Sequence, residues 1–298
     1  MTGLSSLIRR NTKLFFKDKA MFFTALITPM ILLVLYMTFL SNVYRDSFLM
    51  AIPEGISVDD KIMDGAVAGQ LVSSLLAVCC VTVAFCSNML MVQDKVSGAR
   101  RDLTIAPVKS SCLALSYYIS TAITTLIICF AALGAGLMYV NVKGWYLSGS
   151  DVACLWLDTF LMSMFGTALS SVISFFLSSQ GQISAVGTVI SSCYGFICGA
   201  YMPISNFADG LQKVLSFLPG TYGTVLFRTH AMDGAFTAME EAGLPAQVTD
   251  SFRSGVDCRI DFMGHEVTTA VMYTVVGSSV ALLIVVYILL NVLKSRKR

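Results

Sequence analysis

From residue 66 to residue 92 the chain reads AVAGQLVSSLLAVCCVTVAFCSNMLMV, a run without a single charged side chain. About twenty predominantly apolar residues are enough for a helix to cross the hydrocarbon core of a bilayer. This run therefore predicts a membrane-spanning helix. The composition agrees, because 56% of the residues are hydrophobic and only 13% are charged, with a mean hydropathy of +0.75. A water-soluble globular fold of 298 residues is excluded on that composition.

Further runs of the same kind lie on either side of this one, and together they predict six membrane spans. We expect an all-α integral membrane protein with six transmembrane helices. The predicted spans cover residues 20–41, 66–92, 112–140, 152–178, 183–204 and 267–293. Only an uncharged turn, residues 179–182, separates the fourth span from the fifth.

Basic residues are concentrated next to some of these spans and not next to others. Thirteen of the twenty Lys and Arg residues fall within residues 9–19, 94–109 and 294–298, which together hold three acids. The remaining segments hold seven bases and fifteen acids. Because cytoplasmic loops retain Lys and Arg, we expect a multi-pass protein of the cell (plasma) membrane with both termini cytoplasmic. The net charge of +2 sums a basic inside and an acidic outside, so it does not indicate a nucleic-acid partner.

Residues 1–19 form a basic amphipathic segment ahead of the first span. Its apolar residues recur at helical spacing and are Leu4, Leu7, Ile8, Leu14 and Phe15. The basic residues lie mainly away from this face, which is typical of a helix that lies at the membrane interface and contacts anionic lipid headgroups. We therefore predict an N-terminal interfacial helix. A flank that only fixes the topology is the alternative.

The loop between the second and third spans reads QDKVSGARRDLTIAPVKSS, from residue 93 to residue 111. A helix over residues 96–105 would end before Pro107, since the residue preceding a proline disfavours helical geometry. Such a helix, joined directly to two spans, is suited to pass a movement from a soluble partner into the membrane. The residues assigned to this coupling helix are Val96, Gly98, Arg100, Arg101, Asp102 and Leu103. A solvated loop that only sets the topology is the alternative.

A second patterned segment follows the fifth span and reads GAYMPISNFADGLQKVLSFLPGTYGTVLFR, from residue 199 to residue 228. It predicts two short helices with a turn at Pro219 and Gly220. We expect an outer, re-entrant helical hairpin over residues 205–230, before the last span. Arg228 is costly in lipid unless it pairs with a carboxylate or faces water, so we expect it to have a structural partner.

The order of these features resembles the permease subunit of ABC-2 type transporters. The resemblance rests on the basic amphipathic helix, two spans, a loop of the form charged-x-x-G followed by R-x-L-x-x-x-P-V, and four more spans. In the second segment it rests on Gly199, Pro203, Leu211, Leu218, Pro219, Tyr222 and Arg228. Two features depart from the family pattern. Lys95, Val96 and Ser97 stand where an acidic residue often precedes the loop glycine, and residues 231–266 have no evident counterpart.

The resemblance implies a single ABC-2 type transmembrane domain over residues 1–298, which forms the permease of an ATP-driven exporter. Such permeases work as two chains, identical or different, with ATP-binding subunits docked on the coupling and interfacial helices. No G-x-x-x-x-G-K-[ST] loop occurs in this chain, so ATP and Mg are expected on the separate subunits. The chain itself is expected to bind no cofactor or metal and to hold no catalytic residue. Membrane lipids are further partners.

Small residues recur at every fourth position of two spans. They are Gly166, Ser170, Ser174 and Ser178 in the fourth span, and Gly187, Ser191, Gly195 and Gly199 in the fifth. Such ridges let helix backbones approach closely in lipid. The resemblance implies that the first and fifth spans form much of the dimer seam, so the fifth-span ridge is assigned to that seam. Packing within one chain is the alternative for both ridges.

Polar residues inside the spans are candidates for lining a transport path. They are Gln70, Ser73, Ser74, Asn88, Ser184 and Thr188. The cargo stays open among amphiphilic drugs, peptides, lipids and glycans. Asp158, near the outer end of the fourth span, is interpreted as an interfacial carboxylate reached by water, and a proton-relay or substrate site is the alternative. Two alternative functions remain, an ion-coupled secondary transporter and a non-transporting membrane sensor or assembly subunit.

Overall fold

The computed structural model describes residues 2–52, 58–105, 110–262 and 264–296. Within them the chain is almost entirely helical. The helices are α1 (Thr2–Lys17), α2 (Lys19–Leu35), α3 (Ser41–Ala51), α4 (Asp60–Val96), α5 (Ala99–Ile105), α6 (Ser110–Lys143), α7 (Gly149–Phe176), α8 (Gln180–Ile197), α9 (Asp209–Leu215), α10 (Pro219–Glu241), α11 (Ala246–Gly255) and α12 (Thr269–Arg296). A two-stranded antiparallel hairpin, β1 (Asp261–Phe262) and β2 (His265–Glu266), precedes α12.

Five helical segments within the described residues are long and apolar enough to cross a membrane. They are Lys19–Met50, Asp60–Val96, Ser111–Lys143, Gly149–Phe176 and Thr269–Lys294. The fifth predicted span corresponds to α8, which has 18 residues and begins with a polar turn that contains Gln180 and Gln182. An 18-residue helix is about 27 Å long, close to the thickness of the hydrocarbon core. The all-α membrane fold is confirmed, and the count of six spans stays a prediction.

α4 is the central helix of the bundle. It packs against α2, α6, α7, α8 and α10, and its residues are buried along most of its length. Glycines bring two of these neighbours, α10 and α7, into close contact with α4. A Cβ atom added at Gly69 would lie 2.3 Å from the carbonyl oxygen of Ala231, and one added at Gly166 would lie 2.4 Å from that of Cys80. The fourth-span ridge that begins at Gly166 therefore packs within one chain.

The first span is longer than residues 20–41. A single turn of π-helix, Tyr36–Leu40, joins α2 to α3, so the segment continues as a helix to Ala51. Near its end, Arg45 forms ion pairs with Asp60 and Asp64 of α4, at 2.5 and 2.9 Å. These pairs hold α3 beside the first turn of α4.

In the segment predicted as an outer hairpin, the second helix is longer than predicted. A short 3₁₀ turn, Ile204–Asn206, and α9 come first, and α10 then begins at Pro219 as expected. The prediction that this helix ends near residue 230 is wrong, because α10 continues to Glu241 and packs against α4, α7 and α12. Continuous helical hydrogen bonding satisfies the backbone groups of a segment that is packed inside the bundle. The re-entrant character of the hairpin stays a prediction.

We call the described part of residues 231–266 the cap. It comprises the second half of α10, α11 and the β1–β2 hairpin. Arg253 of α11 holds it together, with ion pairs to Glu240 at 2.7 Å and to Asp233 at 3.2 Å. Hydrogen bonds from Thr249 and Arg253 lower the pKa of Glu240, which keeps this carboxyl ionised. Phe48 of α3 stacks edge-on against Phe252 of the cap.

Candidate functional site

α1 is attached to the bundle by a charged cluster at the end where the basic residues collect. Arg10 makes two hydrogen bonds to Asp94 at the end of α4, at 2.7 and 3.2 Å. The hydroxyl of Tyr117, in α6, donates a third bond to Asp94 at 2.5 Å. The hydrogen bond to Asp94 raises the pKa of Arg10, so the guanidinium stays charged. A helix at the surface is thereby joined to two spans.

The predicted interfacial helix turns an apolar face to the protein. Leu7 and Phe15 are buried, together with Asn11 between them, and α1 packs mainly on α6. Leu14 is 36% exposed. The basic residues Arg9 and Lys13 are exposed, as expected for cations that face lipid headgroups or a partner. α1 is therefore part of the folded bundle and not only a flank of the first span.

A second cation closes the same end of the bundle. The ammonium group of Lys95 donates hydrogen bonds to the carbonyl oxygens of Ser174, Phe175 and Leu177, at 2.7, 3.0 and 3.1 Å. These carbonyl groups are the unpaired acceptors at the C-terminus of α7, where a positive charge is favourable. The residue that departs from the acidic family pattern thus caps a neighbouring span.

A helix, α5, lies in the segment predicted as the coupling helix and starts three residues later than expected, while its coupling role stays a prediction. α4 continues through Val96, and Gly98, with a φ of 85°, makes the turn into α5. Only glycine adopts such a backbone conformation without strain. Leu103 of α5 packs against the buried cluster that contains Leu7 and Tyr117. The remaining part of the loop, including Pro107, lies outside the described residues.

The assigned coupling residues divide into two groups. Gly98 and Leu103 serve the turn and the internal packing, whereas Val96 is 49% exposed and Asp102 is exposed. Arg100 is half-buried. Arg101 lies in α5, but its side chain is outside the described residues. Val96 and Asp102 are therefore the assigned residues that a partner protein can reach most readily.

The predicted path residues fall into two places. Gln70, Ser73, Ser74 and Asn88 are all buried inside the bundle, on α4. The Asn88 amide lies within hydrogen-bond distance of Ser170 and Ser171. Ser184 and Thr188 are exposed on α8 instead. The structure does not bring the two sets together on one surface.

The predicted seam residues face their own chain. A Cβ atom added at Gly195 would lie 2.3 Å from the ring of Tyr201, whose hydroxyl donates to the Ser191 carbonyl oxygen at 3.4 Å. Gly187 faces Met89 of α4, and Gly199 lies beyond the end of α8 with a φ of 77°. The seam stays a prediction. The exposed side of α8 carries Ser184, Ala185, Thr188, Val189, Ser192 and Phe196.

Arg228 has the structural partner that its sequence context predicts. Its side chain lies 3.3 Å from Asp257 and donates to the Gly199 carbonyl oxygen at 2.5 Å. Asp257 also accepts the backbone N–H groups of Ile204 and Ser205. One buried ion pair therefore connects α10, the cap and the segment after α8.

An open groove lies between α9 and the β1–β2 hairpin, with a volume of about 960 Å³. Both charge signs and two aromatic rings line it, through Asp209, Lys213, Phe217, Arg259 and Phe262. Phe217 and Phe262 meet edge-on, with ring centroids 5.0 Å apart. Within the described residues, no group of three or more His, Cys, Asp or Glu side chains is arranged to hold a metal ion.

Asp158 is not the water-exposed carboxylate that its position suggested. It is fully buried, and it contacts His230 and Tyr273 at 2.7 Å each. His230 belongs to α10. The partners are 72 and 115 residues away along the chain, so no local motif indicates them. The one signal in the sequence is an acid in an apolar run, which needs a partner.

The cluster of Arg10, Asp94 and Tyr117 was also not predicted. Its signal was Asp94, one of the three acids within otherwise basic stretches. An acid at such a position is well placed to anchor a nearby base. No local sequence pattern indicates its contact with Tyr117, because the two residues lie on different spans.

The sequence of this chain matches a known protein family over the part that contains α5 and most of the bundle. The family model described as ABC-2 family transporter protein matches residues 61–293. The matched part includes α5 and every candidate span after the first. A search of curated proteins gave no match. The family match extends over most of the chain, and this protein belongs to the ABC-2 family of transporter proteins.

Proposed function

We infer that this permease serves an ATP-driven exporter and that a separate ATP-binding subunit docks on α5 and α1. The observation that carries the proposal is the shared anchoring of both helices at the basic end of the bundle. Arg10 of α1 binds Asp94, and Leu103 of α5 packs on the cluster that contains Leu7 and Tyr117. A push on either helix would therefore reach α4 and α6 directly.

The basic end is the cytoplasmic end in this proposal. The exposed bases of α1 and the excess of Lys and Arg near α5 and in residues 294–298 support that orientation. ATP and Mg would bind to the partner subunit. The cap and the groove beside α9 would then face outward, where cargo leaves the cell membrane.

The transport path in this proposal lies between two permease chains, identical or different. Each protomer offers the exposed side of α8, with Ser184, Thr188 and Ser192, and an apolar face of α2. Small hydroxyl residues on a lipid-facing helix favour close helix contacts. A path bordered by hydroxyl groups and apolar side chains suits an amphiphilic drug, peptide, lipid or glycan.

The coupling contact is tested by placing charge on the exposed residues of this end. Val96→Asp combined with Asp102→Lys is expected to reduce, by at least about tenfold, the amount of ATP-binding subunit that co-purifies with the tagged chain. Losing an apolar contact and bringing like charges together should weaken the interface by more than about 1.4 kcal/mol, which corresponds to a tenfold change in affinity. Transport-linked ATP hydrolysis in proteoliposomes should fall with it.

The matched control reverses a charge at the opposite end. Lys61→Glu, at an exposed position near the start of α4, should leave co-purification unchanged. Labelling must first establish that both variants keep the native topology. Normal co-purification and normal ATP hydrolysis in the double variant would contradict a docking role for α5.

The seam is tested by enlarging a residue on each side of α8. Thr188→Trp, on the exposed side, is expected to lower the dimer fraction while the thermal stability of the single chain stays unchanged. Gly195→Leu should instead lower that stability, because the new side chain would collide with Tyr201 of the same chain. Light scattering of the purified permease measures the first effect, and thermal unfolding measures the second. If Gly195→Leu lowers the dimer fraction and Thr188→Trp lowers the stability of the single chain instead, the seam lies on the glycine ridge.

A further inference from the structure

Three helices meet at one buried carboxylate near the cap. Asp158 of α7 is 0% exposed, although a carboxylate within a span is costly unless its charge is compensated. Its Oδ2 atom lies 2.7 Å from Nδ1 of His230 in α10. Its Oδ1 atom accepts a hydrogen bond of 2.7 Å from the hydroxyl of Tyr273 in α12. The carboxylate thus connects helices that are far apart in the sequence.

Like Tyr273, His230 is partly exposed. Its side chain is 12% exposed, whereas that of Asp158 is 0% exposed. The imidazole ring stacks on the ring of Tyr273, with centroids 6.3 Å apart and 22° between the planes, which orients Nδ1 toward the carboxylate. Imidazole is the side chain that ordinarily gains or loses a proton between about pH 5 and pH 8.

The charge of the Asp158–His230 pair depends on one proton. With that proton bound, the pair is neutral as a whole, either as carboxylate with imidazolium or as carboxylic acid with imidazole. Without it, a buried carboxylate remains, and only the neutral donors of Tyr273 and His230 compensate it. An uncompensated buried charge is unfavourable. Tight packing of the three helices therefore favours the protonated pair.

The surrounding elements do not replace that charge. On α7, the other titratable groups on this side are Cys154 and Asp151. α4 presents the Cys80 thiol, 3.9 Å from the carbonyl oxygen of Thr159, and the Cys129 thiol of α6 lies beside Cys80. Thiols at these positions carry no compensating positive charge.

The charged neighbours on α10 are engaged elsewhere. Arg228 pairs with Asp257, and Asp233 pairs with Arg253. α12 contributes Tyr273 as its titratable group at this level. Among the residues that the structure describes, His230 is the cationic partner within 4.0 Å of Asp158.

We propose that Asp158 and His230 form a proton-binding site that locks α7, α10 and α12 together while the proton is bound and loosens α10 when it is lost. The cap continues from α10, so its attachment to the spans would follow the pH on its side of the membrane. The stabilising contribution is present at low pH and is lost as the pH rises. The site goes beyond the proposed export function and requires neither ATP nor cargo.

The test uses the purified full-length chain and follows its thermal unfolding midpoint between about pH 5.5 and about pH 8. The native chain is expected to lose several degrees as the pH rises across this interval. His230→Gln keeps a hydrogen-bond donor but binds no proton, so its midpoint should be lower at acidic pH and nearly independent of pH. The matched control is His265→Gln, at the other histidine of the chain, which is exposed in β2 and should leave the native pH dependence intact.

Tyr273→Phe supplies a result that a merely structural role would not give. It removes a donor that stabilises the carboxylate, so the pair should hold its proton more firmly and the loss of stability should move to higher pH. A native chain without pH dependence would overturn the proposal. Unchanged pH dependence in His230→Gln, or its loss in His265→Gln, would do the same. If His230→Gln does not fold, an unshifted pH profile of Tyr273→Phe overturns it.

Discussion

Replacing Arg228 by Met is expected to lower the free energy of unfolding by about 3–5 kcal/mol, the usual cost of removing one partner of a buried ion pair. The variant would leave the Asp257 carboxylate buried without a cation, and it would remove the donor to the Gly199 carbonyl oxygen. Denaturant unfolding of the purified chain, followed by loss of helical circular dichroism, measures the change. The connection between α10 and the segment after α8 should be lost first.

Two further variants separate the ion pair from its surroundings. Lys213→Met removes an exposed cation from the groove between α9 and the β1–β2 hairpin, which Asp257 also lines. It should change the stability by less than about 0.5 kcal/mol. Asp257→Asn keeps an acceptor for Ile204 and Ser205 and tolerates the φ of 53°, but it leaves the buried Arg228 guanidinium without a counter-charge, so it too should cost about 3–5 kcal/mol. Equal stability of Arg228→Met and the native chain would contradict a structural role for the pair.

Gly166→Leu is expected to separate α7 from α4 and to destabilise the chain by about 3 kcal/mol, the upper part of the range for overpacking. Even its Cβ atom would lie 2.4 Å from the carbonyl oxygen of Cys80 and 3.0 Å from Cα of Val81. Both obstacles belong to the backbone of the central helix, so no side-chain rotation relieves them. The same unfolding measurement applies, together with the yield of folded protein.

A second glycine within a span provides the control for this substitution. Gly277 of α12 has no heavy atom within 4 Å of an added Cβ position. Gly277→Leu should therefore leave the stability almost unchanged. A similar loss of stability in both variants would indicate that leucine is tolerated poorly in these helices generally, and not that Gly166 is a contact point.

The spans with continuous apolar runs were predictable within a few residues. The run at 66–92 lies inside α4, and the run at 112–140 lies inside α6, because length and hydropathy alone determine such helices. Helix ends were predicted less well where polar and apolar residues alternate, because the hydropathy pattern is weaker there. The helix that begins at Pro219 was expected to end near residue 230, yet tertiary packing against α4 extends it to Glu241.

The candidate site was predictable in position but not in its contacts. A helix, α5, lies in the loop between the second and third spans, where Gly98 and the basic residues are local signals, and its role as a coupling helix stays a prediction. Periodicity gives the face of a helix and not the partner of that face. It could not indicate that Lys95 would cap α7, or that Gly195 would receive the ring of Tyr201.

The unbroken helix from Lys19 to Met50 connects the two faces of the protein without a loop. Its 32 residues measure about 48 Å, well beyond a hydrocarbon core of about 30 Å. One end follows α1, and the other places Phe48 against the cap. If a ligand that displaces this helix at the cap changes the affinity for a partner at the basic end, thermodynamic linkage requires that the partner change the affinity for the ligand by the same factor. The binding of cargo at one face and of a protein partner at the other would then be coupled through a single helix.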